Sequence, residues 1–122
     1  YISTGLGGKG EKLRFYVLIL ANELKPFLEY QKKVIEREFP YSLEKAGCEI
    51  ERLTIGEKYM ELVFLIPVRA DIKQALDKVI NECNQYGNFL SQVFTITNVK
   101  ELSAEEVEEI IKKNGGNSQA SH

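Results

Sequence analysis

Apolar residues follow one another almost without interruption in two segments of the chain, residues 13–21 and 59–68. The first is apolar on both faces after Arg14 and the second from Leu62 onward, and Pro67 marks the end of the second. A strand that is apolar on both faces is covered on both faces. The pattern therefore predicts two strands in the middle of a sheet.

Two further segments predict the remaining strands. Residues 48–55 alternate between apolar and charged positions and are joined to the strand at 59–68 by a turn at 56–58. Residues 89–99 are rich in β-branched side chains, which favour strands. The chain thus has four predicted strands.

Apolar residues at three- and four-residue spacing predict a helix after the first strand. Asn22 is its expected N-cap, and Pro26 falls in its first turn. Pro40 is expected to end or kink the helix near Phe39, and Gly47 follows as terminator.

A second helix follows the strand at 59–68, with Asp71 as its cap and Gly87 as its stop. Ser103 and Glu106 have the spacing of a capping box, which predicts a short C-terminal helix. The order strand-helix-strand-strand-helix-strand predicts a ferredoxin-like α+β sandwich with a four-stranded antiparallel sheet and an extra C-terminal helix.

The same patterns divide the chain into three parts. Residues 1–12 predict a flexible Gly-rich leader, 13–113 a single ferredoxin-like domain, and 114–122 a disordered tail. In this fold the strands at 13–21 and 59–68 lie side by side in the centre, and both long helices cover one face.

The opposite sheet face is then expected to carry large apolar side chains that need a cover. Exposing them would cost roughly 1.5–3 kcal/mol each. The C-terminal helix or a second copy of the chain could cover them. A helix of about ten residues is only ~15 Å long, so the second copy is preferred. The predicted homodimer face consists of Tyr16, Leu18, Leu20, Leu62 and Phe64.

The composition limits which ligands, cofactors and catalytic groups the protein can use. The net charge of −2 gives no global attraction to nucleic acid, and no apolar run has the length of a membrane span. The single histidine, His122, is the last residue, and Cys48 and Cys83 form no C-x-x-C pair. We therefore expect no metal, no cofactor and no catalytic residue, and a cytoplasmic protein with reduced thiols.

The first functional hypothesis is a non-enzymatic binding or regulatory module that self-associates and binds a protein or small ligand. An amide-rich segment at the end of the second helix is its expected binding site, because amides hydrogen-bond ligands and a tyrosine adds an anchor. This site consists of Asn84, Gln85, Tyr86 and Asn88.

The alternative is a single-stranded nucleic-acid-binding domain. Aromatic residues around the first helix are interleaved with basic ones, a combination that binds single strands by stacking and phosphate contact. The expected contacts are Lys9, Lys12, Arg14, Lys32, Lys33 and Arg37.

The stretch from Gly47 through two strands and the following helix resembles the core of small Tyr-dependent transposases of the ferredoxin-like type. That family carries a His-hydrophobic-His motif, which binds a divalent metal, on the strand that corresponds to 59–68. The matching positions here are Tyr59, Met60 and Glu61, and Tyr86 matches the nucleophile. The resemblance implies a relative without the metal pair that keeps single-strand binding.

A third hypothesis is a small enzyme that uses Tyr59 and Glu61 as acid and base. Side chains two residues apart on a strand share one face, so the pair could act together if that face is open.

Overall fold

The computed structural model describes residues 11–98 and 100–120, with side chains up to residue 114. Residues 1–10 of the predicted leader and 121–122 of the predicted tail lie outside these ranges. The elements are β1 (Lys12–Ala21), α1 (Glu29–Lys45), β2 (Glu49–Ile55), β3 (Tyr59–Pro67), α2 (Ile72–Asn84), β4 (Leu90–Thr97) and α3 (Ala104–Ala120). Helix α3 includes most of the segment predicted as a tail. The division into leader, domain and tail stays a prediction.

The four strands form one antiparallel sheet in the order β2-β3-β1-β4. The ferredoxin-like α+β fold predicted from the order of elements is confirmed. The two strands that are apolar on both faces, β1 and β3, are neighbours in the centre of the sheet, also as predicted.

Helices α1 and α2 cover one sheet face, and α3 covers part of the other. Asp71 caps α2 by accepting a hydrogen bond from the Gln74 amide at 3.1 Å. The capping box of α3 is complete, because the Ser103 amide donates to Glu106 at 2.8 Å and the Glu106 amide donates to Ser103 at 3.1 Å. Val107 of α3 is buried against the sheet. No helix in the described part of the chain could cross a bilayer.

The predicted start of the first helix is wrong, because Asn22 belongs to a single 3₁₀ turn and α1 begins only at Glu29. The Asn22 amide donates to the Phe89 carbonyl at 2.8 Å, so long-range bonding holds this residue outside a helix. Pro40 does not end the helix either. Helix α1 continues through it to Lys45, although proline removes one internal hydrogen bond.

The five residues of the predicted homodimer face do not form one surface. Tyr16, Leu18 and Leu20 pack under α3, whereas Leu62 and Phe64 point to the opposite face, under α1 and α2. Residue Tyr16 pairs with Val63, so even-numbered residues of β1 share a face with odd-numbered residues of β3. Helix α3 is therefore the cover over the first three side chains.

Candidate functional site

The outer face of α1 carries basic and aromatic side chains at four-residue spacing. We call Lys33, Arg37, Tyr41 and Lys45 the α1 stripe, since residues four apart lie on one helix face. Tyr41 is 62% exposed, and the Lys45 Nζ lies 4.7 Å from the centroid of its ring. The stripe thus presents an aromatic ring together with a cation.

The loop after α2 adds a second ring to this surface. The Arg37 guanidinium carbon lies 5.1 Å from the ring centroid of Tyr86, which is 50% exposed. The Tyr30 hydroxyl donates to the Tyr86 carbonyl at 3.2 Å and fixes the loop to the first turn of α1. A side-chain hydrogen bond to Glu38, at 3.0 Å, raises the pKa of Arg37. Arg37 therefore keeps its charge beside the ring.

The predicted amide-rich site is only partly available for a ligand. Asn84 is used by the fold, because its Nδ2 donates to the Leu90 carbonyl at 2.9 Å while its Oδ1 accepts from the Phe89 and Leu90 amides at 3.2 and 2.9 Å. Gln85 and Tyr86 are exposed in the loop. Asn88 instead lines a cleft between this loop and the start of α1.

That cleft has a volume of about 380 Å³. It lies where the 3₁₀ turn, the segment before α1 and the loop before β4 meet. Both Glu23 and Leu24 in this turn have positive φ, 58° and 56°, a conformation that is uncommon for residues other than glycine. The lining residues are Asn22, Glu23, Lys25, Pro26, Leu28, Gln31, Asn88 and Phe89.

The predicted nucleic-acid contacts are divided between two layers. The α1 layer holds Lys32, Lys33 and Arg37. The Lys32 Nζ forms an ion pair of 3.7 Å with the Glu29 carboxylate. Lys12 and Arg14 lie on β1, on the α3 side of the sheet, and Lys9 is outside the described residues. The structure therefore does not bring the predicted residues together into one patch.

The β1 residues of this set are paired with carboxylates. Lys12 contacts Glu49 at 2.6 Å, and Arg14 contacts Glu51 at 2.8 Å and Glu101 at 3.1 Å. Sequence reasoning missed Glu101, which also contacts Arg52 at 2.5 Å. These ion pairs leave less free positive charge on this face than on α1.

The hydrogen bonds from Arg52, followed by those from Arg14, lower the pKa of Glu101. A lowered folded-state pKa means that the stabilisation is complete above the unfolded-state pKa and is lost as the pH falls through the folded one. We expect Glu101→Gln to be less stable than the wild type at neutral pH and equally stable in strong acid. Urea unfolding between pH 2 and 7 measures this, and a pH-independent difference would contradict it.

Tyr59 and Glu61 share the α3 face of β3, as their spacing predicts, but they do not form an open acid–base pair. Glu61 accepts a hydrogen bond from the buried Tyr16 hydroxyl at 2.6 Å, and burial together with this bond raises the pKa of Tyr16. The Tyr59 ring lies so close over Gly56 that an added Cβ would be 2.6 Å from it. The Glu61 carboxylate is therefore engaged in a hydrogen bond with Tyr16 rather than with Tyr59.

Metal-binding clusters and the two cysteine thiols are the remaining places where reactive chemistry could occur. Within residues 11–98 and 100–120, no three His, Cys, Asp or Glu side chains form a group that could hold a metal ion. Cys48 and Cys83 are buried, and burial raises the pKa of Cys83 to about 12. Such a thiol is protonated at neutral pH and is a poor nucleophile.

No protein-family model matches the sequence, and no curated protein matches it either. Solved structures with the same fold exist. A candidate transposase from Deinococcus radiodurans R1 has a TM-score of 0.69 and 13% identity over 84% of this chain and 91% of its own.

A second similar structure is a REP-associated tyrosine transposase bound to a REP hairpin. Its TM-score is 0.60 at 10% identity, and the match covers 79% of this chain. The chain spans 60% of the length of that protein. At these identities, both similarities show a shared fold.

Proposed function

We propose that this chain is a single-stranded nucleic-acid-binding domain that uses the α1 stripe together with Tyr86 and acts without cutting the strand. The observation that carries the proposal is the pair of exposed tyrosine rings, each with a cation at its face, along one side of α1. Exposed rings offer stacking surfaces to unpaired bases, and neighbouring cations contact phosphates.

The charge distribution favours α1 over the sheet as the contact surface. Lys33 is exposed and Lys45 contacts a ring rather than a carboxylate, whereas Lys12 and Arg14 are both ion-paired. Arg37, in contrast, is ion-paired with Glu38 at 3.0 Å. Glu36 and Glu44 are exposed on the same helix and offset part of its positive charge. We therefore expect binding of modest affinity in which the rings contribute more than the net charge.

The similar structures support this proposal at the level of fold. One of them is a transposase bound to a REP hairpin, which supports the proposal that this sandwich can hold a nucleic acid. In the resemblance inferred from the sequence, the metal-binding histidines correspond to positions that hold Tyr59 and Glu61 here. This substitution is the reason for proposing binding rather than strand cleavage.

Salt dependence tests the proposal. In the part of the chain that the structure describes, the cations Lys33 and Lys45 contact no carboxylate. They should give a log Kd against log salt slope of about 1.4 in magnitude, since single strands contribute roughly 0.7 per phosphate neutralised. The slope should reach about 2 if a phosphate displaces Glu38 from Arg37. We expect Lys33→Ala to reduce the slope by about 0.7. The measurement is fluorescence anisotropy with a labelled oligonucleotide of unpaired bases at several salt concentrations.

Lys112→Ala is the matched control, because Lys112 is exposed on α3, which covers the opposite sheet face. This variant should keep the wild-type slope. A wild-type protein that gives no anisotropy change at low salt would refute the proposal, as would equal slopes for all three proteins.

A further inference from the structure

The cleft at the start of α1 is adjacent to the proposed binding surface. Gln31 follows Tyr30 directly in the first turn of α1, and Asn88 lies two residues after Tyr86. The Tyr30–Tyr86 hydrogen bond holds the two segments together at 3.2 Å. The cleft and the Tyr86 ring are therefore close enough to be reached by neighbouring nucleotides of one bound nucleic-acid strand.

Polar groups in the cleft present unused hydrogen-bonding capacity. The Asn22 Nδ2 donates to the Asn88 carbonyl at 3.1 Å, and the Gln31 Oε1 accepts from the Leu28 amide at 2.9 Å. Three other polar groups of the cleft have no hydrogen-bond partner among the described residues: the Asn22 Oδ1, the Gln31 Nε2 and the Asn88 side-chain amide. The cleft thus offers both a donor and an acceptor to a ligand.

The other lining residues limit the class of ligand. Pro26, Leu28 and Phe89 supply apolar surface for a flat group. Glu23 and Lys25 form an ion pair of 3.1 Å, so the charged side chains of the cleft cancel and do not favour a phosphate. A nucleobase combines flat apolar faces with an edge of donors and acceptors, and it suits this lining.

We propose that the cleft receives one unpaired base of the bound strand and reads its edge through the side chains of Asn22, Gln31 and Asn88. This inference rests on the proposed function, because it assigns a base-reading subsite to the same surface. Stacking and phosphate contacts tolerate any sequence, whereas hydrogen bonds to base edges discriminate. The cleft is then the source of base preference in this domain.

The test compares Asn88→Ala with Gln74→Ala, which removes an exposed amide of α2 that does not line the cleft. Affinities for labelled oligo-dA, oligo-dC and oligo-dT are measured by fluorescence anisotropy. We expect the wild type and Gln74→Ala to prefer one base. Asn88→Ala should lose about three- to tenfold in affinity for that base, the effect of one hydrogen bond, and keep the salt slope.

The outcomes separate the two proposals. If the wild type binds all three oligonucleotides equally, or if Asn88→Ala and Gln74→Ala behave alike, the base-reading cleft is refuted and the binding domain stands. If the wild type binds none of them, both fail. Thermal unfolding of each variant checks that a lost affinity is not a lost fold.

Discussion

Replacing Tyr41 and Tyr86 together by alanine is expected to weaken binding of a single-stranded oligonucleotide at least about 30-fold. Each ring that stacks on a base contributes roughly 1–3 kcal/mol, and two rings therefore account for about 2 kcal/mol or more. Both side chains are at least half exposed, so the free energy of unfolding should change by less than about 0.5 kcal/mol. Anisotropy titration and urea unfolding measure the two quantities.

The matched control is the double variant Tyr41→Phe and Tyr86→Phe, which keeps both aromatic rings and removes only their hydroxyl groups. Its affinity should stay within a few-fold of the wild type, because stacking depends on the ring face. If the phenylalanine variant loses as much affinity as the alanine variant, the rings do not act by stacking. If neither variant loses affinity, the α1 stripe is not the binding surface.

The second large effect is expected from Val107→Asp in α3. Val107 is 4% exposed and is a buried residue of α3 that packs with Tyr16, Leu18 and Leu20. Losing its burial costs about 1.5–3 kcal/mol, and a buried carboxylate would cost more. Detachment of α3 from the sheet costs less free energy than burying the introduced carboxylate. We expect the free energy of unfolding to fall by at least about 2 kcal/mol in urea titrations.

Detachment would leave the apolar side chains of β1 exposed, and such a patch favours association with another copy. The variant should therefore form dimers as its concentration rises, which light scattering detects. Self-association through the sheet, predicted from the sequence, is thus proposed for the state in which α3 is displaced. Glu108→Asp, an exposed change on the same helix, is the control and should match the wild type. A Val107→Asp protein that is stable and monomeric would contradict the packing of α3.

Much of the architecture could be predicted because it depends on local patterns. The apolar runs in β1 and β3 indicated two central strands, and the order of elements indicated the sandwich. The face that each side chain occupies depends on register, which hydrophobicity does not specify when both faces are apolar. For this reason the apolar pattern predicts Leu62 and Phe64 on the same face as Tyr16, whereas pairing of Tyr16 with Val63 places them on the opposite face.

The start of α1 could not be predicted because distant contacts determine it. Asn22 has a favourable N-cap side chain, but its amide bonds to Phe89, and the Phe27 amide bonds to the Glu57 carbonyl at 2.9 Å. These bonds hold residues 22–28 in a path that is not α-helical and that forms part of the cleft. The sequence pattern reveals a favourable N-cap residue, but it does not reveal the distant backbone groups that bond to this segment in the folded chain.

The candidate site was partly predictable for a similar reason. Lys33 and Arg37 were expected contacts, and their four-residue spacing to Tyr41 and Lys45 is visible in the sequence. The pairing of Arg37 with Tyr86 depends on how α2 packs beside α1. The loss of Lys12 and Arg14 as free cations likewise depends on the strand order, since β2, on the far side of β3, carries Glu49 and Glu51 to them.

Glu101 contacts arginines from two strands, β1 and β2, that are separated by β3. The carboxylate therefore spans the central strand and fixes the chain just before α3 begins. A displaced α3 would still be attached beside β1 and β2 at its N-terminal end, through the two arginines that Glu101 contacts.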